Sequence, residues 1–273
     1  MRSSSGVGNV VRRASGWIFL FCVLGAGLAH ANERHFTSTY ESGVLPAGAK
    51  ELEVWSTVGV GRDSRYLGFD HRLEFEVGLT DRLQTSFYLN FHSAGALVAQ
   101  DAYTTSFDWK GVSNEWKLKL LDPVADPVGL ALYAELGLGP SEAEAEAKLI
   151  LDKRLGNVLL AANLVFEHEW EFGVKTVREW KAEVVVAGSY FITPHLGVGL
   201  EVRNTNVIPV GEPLEFSALF IGPVVSYVGD KWWVACTFLP QLPAFKAPEG
   251  AVTNLVLTDH ERYAARLLFS FQF

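Results

Sequence analysis

Histidine, serine and acidic residues stand next to one another at three places in the chain, where they could form hydrolytic sites. Ser93 follows His92, and Asp70 and Asp259 are each followed directly by a histidine. A histidine beside a hydroxyl or a carboxylate can move protons during hydrolysis. Neighbouring residues of a β-strand point to opposite faces, however, so the members of each pair would not meet. We therefore expect no catalytic residues, and we expect that the protein is not an enzyme.

Glu167 and Glu169 form a different kind of group, because they flank His168 and would share one face of a strand. Two carboxylates on one face can hold a hard cation such as Ca²⁺. The same spacing is also typical of a strand end that lies in water. No predicted strand is followed by a glycine-rich phosphate loop. The sequence therefore predicts neither a metal site nor a cofactor.

A larger set of charged residues recurs at alternate positions of strand-like segments, so its members would share the inner face of a sheet. The set contains both signs and comprises Asp70, Arg72, Glu74, Glu76, Glu115, Lys117, Lys119, Glu135, Glu144, Glu146, Lys148, Lys181, Glu183, Glu201, Arg203, Arg262 and Arg266. One interpretation is a packed interior in which buried charges pair and hold the protein rigid. The other is a water-filled path whose charges select a solute. The sequence leaves both open.

Apolar residues alternate with polar ones through most of the chain, which is typical of β-strands. Between 69 and 79 the apolar residues stand at odd positions, and the alternation resumes after the turn at 80–82. Twelve strands are expected, near 50–60, 68–79, 83–93, 107–120, 129–139, 143–151, 157–168, 179–190, 195–204, 215–226, 231–238 and 261–273. Short turns alternate with longer connections, which we expect at 94–106, 169–178, 205–214 and 239–258.

Strands of this number and length favour a barrel that spans a membrane. About 9–11 tilted residues cross the hydrocarbon core, and closure leaves no strand edge unpaired in lipid. A barrel this wide has more lumen than apolar side chains readily fill, whereas charged side chains and water can occupy it. The predicted fold class is all-β, a single antiparallel transmembrane β-barrel of about 12 strands over residues 50–273.

The start of the chain indicates export. Residues 1–31 combine early arginines with an apolar run and the small-x-small sequence Ala29-His30-Ala31, which together predict a cleaved signal peptide. We expect residues 32–49 to form a periplasmic N-terminal segment ahead of the barrel. Cys236 is the only cysteine beyond the signal peptide, so no intrachain disulfide is expected.

The end of the chain carries aromatic residues on one face of the last strand. This pattern resembles the terminal strand that the barrel-assembly machinery recognises, with Tyr263, Phe269, Phe271 and Phe273 as the assembly signal. We expect the partners to be this machinery, the lipid of the outer membrane and an unidentified small solute. The formal charge of −8 argues against a nucleic-acid partner, which would need a basic face.

Three turn segments, GLTDRLQ at 78–84, ITPHLGVG at 192–199 and GDKWW at 229–233, look like periplasmic hairpin turns of Gram-negative outer-membrane barrels. Together with YESGVLP at 40–46, they resemble a family of outer-membrane β-barrels of unknown function. The resemblance covers most of the chain beyond the signal peptide. It implies the barrel architecture and an outer-membrane location, and it carries over no catalytic residues.

These patterns predict a passive channel or transporter for small solutes. The alternatives are a structural or surface-interaction barrel with a closed lumen and, less favoured, an outer-membrane enzyme. Acidic pairs such as Glu144 and Glu146 would give an open lumen a weak preference for cations.

Overall fold

A computed structural model of the protein describes residues 33–62, 65–99, 102–173 and 176–273. The predicted signal peptide at 1–31 lies outside these residues. Within the described part of the chain, no helix has the length and apolar character needed to cross a bilayer.

Twelve strands form at the places where the sequence alternates. They are β1 (Lys50–Val60), β2 (Tyr66–Thr80), β3 (Leu83–Ala99), β4 (Ala102–Leu121), β5 (Gly129–Leu138), β6 (Glu142–Leu155), β7 (Val158–Glu171), β8 (Val177–Phe191), β9 (Leu196–Pro209), β10 (Phe216–Val228), β11 (Trp232–Lys246) and β12 (Tyr263–Gln272). Each strand pairs with the next in antiparallel register, and β12 closes the sheet on β1. The predicted all-β, twelve-stranded antiparallel barrel is confirmed.

Side chains alternate between a lipid-type outer surface and a packed interior, as β7 illustrates. Leu160 and Leu164 are 47% and 42% exposed on the outside, whereas Leu159 and Val165 are 3% and 4% exposed. A soluble barrel would bury its apolar face and show its polar face to water. The exposed apolar residues on this barrel suit contact with lipid instead.

The connections at one end of the barrel are shorter than the sequence predicts. We call this end the upper rim, and the end that holds Lys50 and Gln272 the lower rim. Much of the expected loop at 94–106 belongs to β3 and β4, where Gly95 pairs with Thr105. The expected loops at 169–178 and 205–214 shrink in the same way, and a long connection remains at 247–262. Backbone hydrogen bonds extend these hairpins beyond the segments in which apolar and polar residues alternate.

Residues 33–49, which we call the plug, lie inside the barrel as far as residue 45, and the exposed residues 46–48 are at its lower rim. Most of the predicted periplasmic segment is therefore inside the barrel. Phe36 and Leu45 have no exposed surface, and Phe36 packs against the inner wall at Leu159 and Phe191. The expectation of a periplasmic segment overlooked how much lumen a twelve-stranded barrel leaves to be filled. Burial of these apolar side chains in that space stabilises the docked plug.

The plug leaves the lumen at the lower rim, beside Gly78. The backbone N–H of Gly48 donates to the carbonyl of Gly78 at 2.8 Å, and the N–H of Gly78 donates to Ala49 at 3.0 Å. A Cβ atom on Gly78 would lie 2.1 Å from the carbonyl oxygen of Pro46. Only glycine lets the plug and β2 approach this closely.

Candidate functional site: a plugged, charged lumen

A single carboxylate on β9 holds the middle of the plug. Oε1 of Glu201 accepts hydrogen bonds from the backbone N–H groups of Ser38 and Thr39, each at 2.9 Å. Oε2 accepts from the N–H of Thr37 at 3.2 Å and from the hydroxyl of Thr237 on β11 at 2.5 Å. The hydroxyls of Thr37 and Thr39 also donate to this carboxylate, each at 3.1 Å. Glu201 is fully buried, so these charge-assisted bonds form away from water.

Two further side chains of the barrel wall form hydrogen bonds with the plug backbone. Asn163 on β7 accepts from the N–H of Tyr40 at 2.6 Å and donates to the Tyr40 carbonyl at 2.9 Å. Gln84 on β3 accepts from the N–H of Leu45 at 2.9 Å. These bonds satisfy the backbone of an irregular segment that would otherwise lie unpaired in a buried site.

Aromatic rings pack around the plug where it crosses the lumen. Tyr40 meets the edge of Tyr133 with ring centroids 5.2 Å apart, and Trp55 lies at 6.2 Å. The guanidinium of Arg34 stacks over Tyr40 at 4.0 Å and over Trp55 at 4.5 Å. This arrangement stabilises a cation within the interior. The lower half of the lumen is therefore filled by the plug and the side chains that bind it.

At one end of the plug, His35 forms an ion pair with Glu41, with Nδ1 and Oε2 3.1 Å apart. Burial opposes the charge on both groups, but their attraction outweighs it, so the pKa of His35 is raised and the pKa of Glu41 is lowered. The pair connects the two ends of the loop that Glu201 binds.

A cavity of about 220 Å³ lies directly above the plug, with Ser38 and Tyr40 in its floor. Its walls carry opposite charges on different strands. The acidic side comes from β5 to β8 and consists of Glu135, Glu144, Glu146, Glu167 and Glu183. The basic side includes Arg203 on β9 and Arg266 on β12. A charged or dipolar solute in this cavity would experience a field directed across the barrel.

The acidic side is partly neutralised by ion pairs. Lys148 lies 2.8 Å from Glu146, and Arg72 contacts Glu135. Near the upper rim, Lys181 lies 3.2 Å from Glu167 and also contacts Glu169. Among the described residues, Arg203 and Arg266 form no ion pair, so the basic side keeps its charge available.

A second cavity of about 250 Å³ adjoins the basic side and is lined by Arg203, Arg266 and His260. Nε of Arg203 and Nε2 of His260 are buried and make no hydrogen bond within the described residues. Burial, together with the nearby charge of Arg203, lowers the pKa of His260 to about 3. His260 is therefore neutral at pH 7, and the positive charge of this cavity comes from its arginines.

The structure places the predicted lumen residues in three regions. Those buried around the plug are Glu74, Glu76, Glu115, Lys117 and Glu201. Those lining the cavity above it are Asp70, Arg72, Glu135, Glu144, Glu146, Lys148, Glu183, Arg203 and Arg266. Those toward the rims are Lys119, Lys181 and Arg262. The lower half of the inner face is packed, and the upper half contains cavities lined by charged side chains. Whether a solute path runs through these cavities stays a prediction.

On β2 and β3, an acidic residue and a histidine pair across the two strands, and not with their neighbours in the sequence. His92 lies directly opposite Asp70 in the register, and Nδ1 of His92 is 2.6 Å from Oδ1 of Asp70. Ser93 lies on the other face, opposite Phe69. Asp70 and His92 are about equally far along the chain from the turn at 80–82. Residues equally distant from a hairpin turn lie opposite each other, so the position of the turn could have predicted this pair. The plug had no such local signal.

The aromatic residues of the predicted assembly signal lie on the outer surface of the last strand. Tyr263, Phe269, Phe271 and Phe273 are all exposed, and the N–H of Phe273 donates to the carbonyl of Lys50 at 3.1 Å. Recognition by the assembly machinery stays a prediction.

The barrel is similar to solved outer-membrane proteins. The COG4313 outer membrane channel from Pseudomonas putida F1 matches with a TM-score of 0.62 and 15% identity, covering 87% of this chain and 100% of that one. The NanC porin matches with a TM-score of 0.52 and 11% identity, covering 81% and 100%. At these identities the similarity concerns the fold alone. A search among curated proteins found no match.

One family model matches almost the whole chain, over residues 28–273. The match includes the plug, all twelve strands and the C-terminal residue. The protein is therefore a member of DUF6662, a family of unknown function.

Proposed function

We propose that the protein is a passive channel for small charged solutes, with the lumen as its path and the plug as its gate. The observation that carries the proposal is the cavity above the plug, where Arg203 and Arg266, which form no ion pair within the described residues, face a glutamate-rich wall. A barrel with a purely structural interior would pair these charges, because unpaired buried charges are costly. Charges that line a cavity can instead bind and release a passing solute.

The attachment of the plug supports a gating role. Hydrogen bonds to Glu201, Asn163 and Gln84 and the packing of side chains hold it in place, and none of these contacts is covalent. Displacement of residues 37–40 would extend the cavity toward the lower rim. The docked state then corresponds to a closed channel, and release of the plug opens it.

The charge on the two walls suggests which solutes would pass. The glutamates of the acidic wall outnumber its basic partners, which favours cations in a wide opening. The arginines across the lumen favour an anionic group at the same depth. A small solute that carries both charges would meet attraction on both sides.

A closed structural barrel is the second candidate. The tight packing of Phe36 and Tyr40 favours it, since both side chains are almost fully buried. The two candidates differ in whether ions pass through the cavity, which a conductance measurement decides. We propose no enzymatic role, because Ser93, the serine next to His92, lies on the opposite face of the sheet from the Asp70 and His92 pair.

A cysteine placed in the cavity tests the channel directly. Full-length Glu144→Cys would be reconstituted into planar bilayers, and its conductance recorded before and after a charged methanethiosulfonate reagent is added. We expect modification to reduce the conductance of each opening. The matched control is Leu136→Cys on the neighbouring strand, whose side chain is 67% exposed on the outer face. The native Cys236 is exposed on that face as well.

The control should conduct normally after treatment. A folded Glu144→Cys protein that is modified without any change in conductance would place the path elsewhere. Absence of openings in all proteins, over a wide range of voltage, would favour the closed structural barrel.

A further inference from the structure

Four glutamates face one another across β1 and β2 near the lower rim. Glu51 lies directly opposite Glu76, and Glu53 lies directly opposite Glu74. All four are buried. Like charges at directly opposed positions of a sheet repel each other, and burial removes the water that would screen them. Something other than solvent must therefore neutralise part of this charge.

Three of the glutamates converge on one point. Glu53, Glu74 and Glu76 each offer a carboxylate oxygen, and these oxygens all lie within 4.8 Å of one another. Two oxygens bound to the same Ca²⁺ ion, each at about 2.3–2.6 Å, lie at most roughly 5 Å apart. The three side chains thus already have the spacing of ligands around one ion.

Some of these carboxylate oxygens have donors, since Oε2 of Glu76 accepts from Gln84 at 3.1 Å and Oε2 of Glu53 accepts from Trp55 at 2.8 Å, but three oxygens of Glu53 and Glu74 have none within the described residues. Both carboxylate oxygens of Glu74 and Oε1 of Glu53 are buried and accept no hydrogen bond within the described residues. Glu51 differs, because it accepts from the indole of Trp233 at 2.7 Å and from Gln272 at 2.8 Å. A buried carboxylate without donors is expensive unless a cation binds it or a proton neutralises it.

Nearby basic side chains leave negative charge in excess. Arg34 and Lys117 are close enough to interact with the cluster. The carboxylates that interact there are Glu51, Glu53, Glu74, Glu76 and Glu115. The guanidinium of Arg34 is also engaged by the rings of Tyr40 and Trp55 and by the Thr37 carbonyl.

We propose that Glu53, Glu74 and Glu76 bind one divalent cation of the size of Ca²⁺ on the inner wall beside the plug. Oxygen ligands without histidine or cysteine favour a hard cation over zinc or copper. Two positive charges offset the excess carboxylates, and water would complete the coordination. The site does not depend on the proposed channel function, since it concerns the packed lower half of the lumen.

Terbium luminescence tests the site in the full-length protein in detergent. Tb³⁺ replaces Ca²⁺ at oxygen sites and emits light when a neighbouring indole is excited. The indole N–H of Trp55 donates to Glu53 at 2.8 Å, so Trp55 is placed to sensitise the bound ion. We expect emission that saturates at one equivalent and is displaced by Ca²⁺. Glu74→Gln should weaken binding roughly tenfold or more, because it removes a charged ligand.

Two controls separate this site from other acidic surfaces. Glu144→Gln, in the cavity above the plug, should bind Tb³⁺ as the wild type does. Trp55→Phe should reduce the emission to the part sensitised by Trp233 beside Glu51, but should keep the rise in thermal unfolding temperature that Ca²⁺ gives relative to EDTA. That rise in the wild type tests the proposal even if Glu74→Gln fails to fold. Equal Tb³⁺ binding by folded Glu74→Gln and the wild type would overturn the proposed site. A wild-type unfolding temperature that Ca²⁺ does not raise would also overturn it, and would mean that protons neutralise the cluster.

Discussion

Replacement of Glu201 by glutamine should release the plug while leaving the barrel wall intact. Glutamine keeps one carbonyl oxygen, but its NH₂ group cannot accept a hydrogen bond. If the oxygen stays with Ser38 and Thr39, the backbone N–H of Thr37 loses its acceptor. The remaining bonds also lose the charge that strengthens them.

The size of the effect follows from these contacts. A buried donor without a partner costs about 1–3 kcal/mol, and a bond to a charged group is worth about 1 kcal/mol more than a neutral one. Together these terms weaken plug docking by roughly 3 kcal/mol. That value corresponds to roughly a hundredfold increase in the population of the released plug.

Single-channel recording in planar bilayers measures this population as the fraction of time spent open. We expect a large rise for Glu201→Gln with no change in the conductance of each opening. The matched control is Glu183→Gln on the neighbouring strand, whose carboxylate accepts from Thr205 on the wall. Heat-modifiable migration verifies that both barrels fold. An unchanged open fraction in folded Glu201→Gln would refute the conclusion that the Glu201 carboxylate holds the plug in place. An equal rise in the control would point to a general loss of lumen charge.

Three further predictions concern the wall, the cavity and the chain end. Leu164→Arg should cost about 2–4 kcal/mol of folding free energy in bilayers, because it places a charge in lipid. Val165→Arg should be tolerated, because its side chain reaches the acidic cavity. Equal destabilisation by the two substitutions would contradict the assignment of these residues to the outer and inner faces. Glu144→Gln should reduce cation preference, measured as the reversal potential under a salt gradient, most clearly at low salt. Deletion of Phe273 should lower the amount of folded protein in the outer membrane and raise unfolded protein in the periplasm; normal membrane levels would reject the assembly signal.

Local alternation determined the strands and their faces. Leu164 and Val165 differ in exposure because successive side chains of a strand point to opposite sides, and this property requires no knowledge of distant residues. The same reasoning predicted twelve strands and their approximate limits. It failed at the upper ends of β3 and β4, where small residues such as Ala94 and Gly95 interrupt the alternation while backbone pairing continues the hairpin.

Contacts between distant parts of the chain were decided only by the tertiary structure. The bonds from Thr37 to Glu201 join residues 164 positions apart, and no local pattern marks a glutamate as the acceptor for a plug. Strand register brings Asp70 to His92 and the carboxylate of Glu53 to that of Glu74. A shift of one residue would move one member of each pair to the opposite face of the sheet. The plug depends on the width of the closed barrel, because only the assembled ring of twelve strands creates the space that Phe36 and Tyr40 fill.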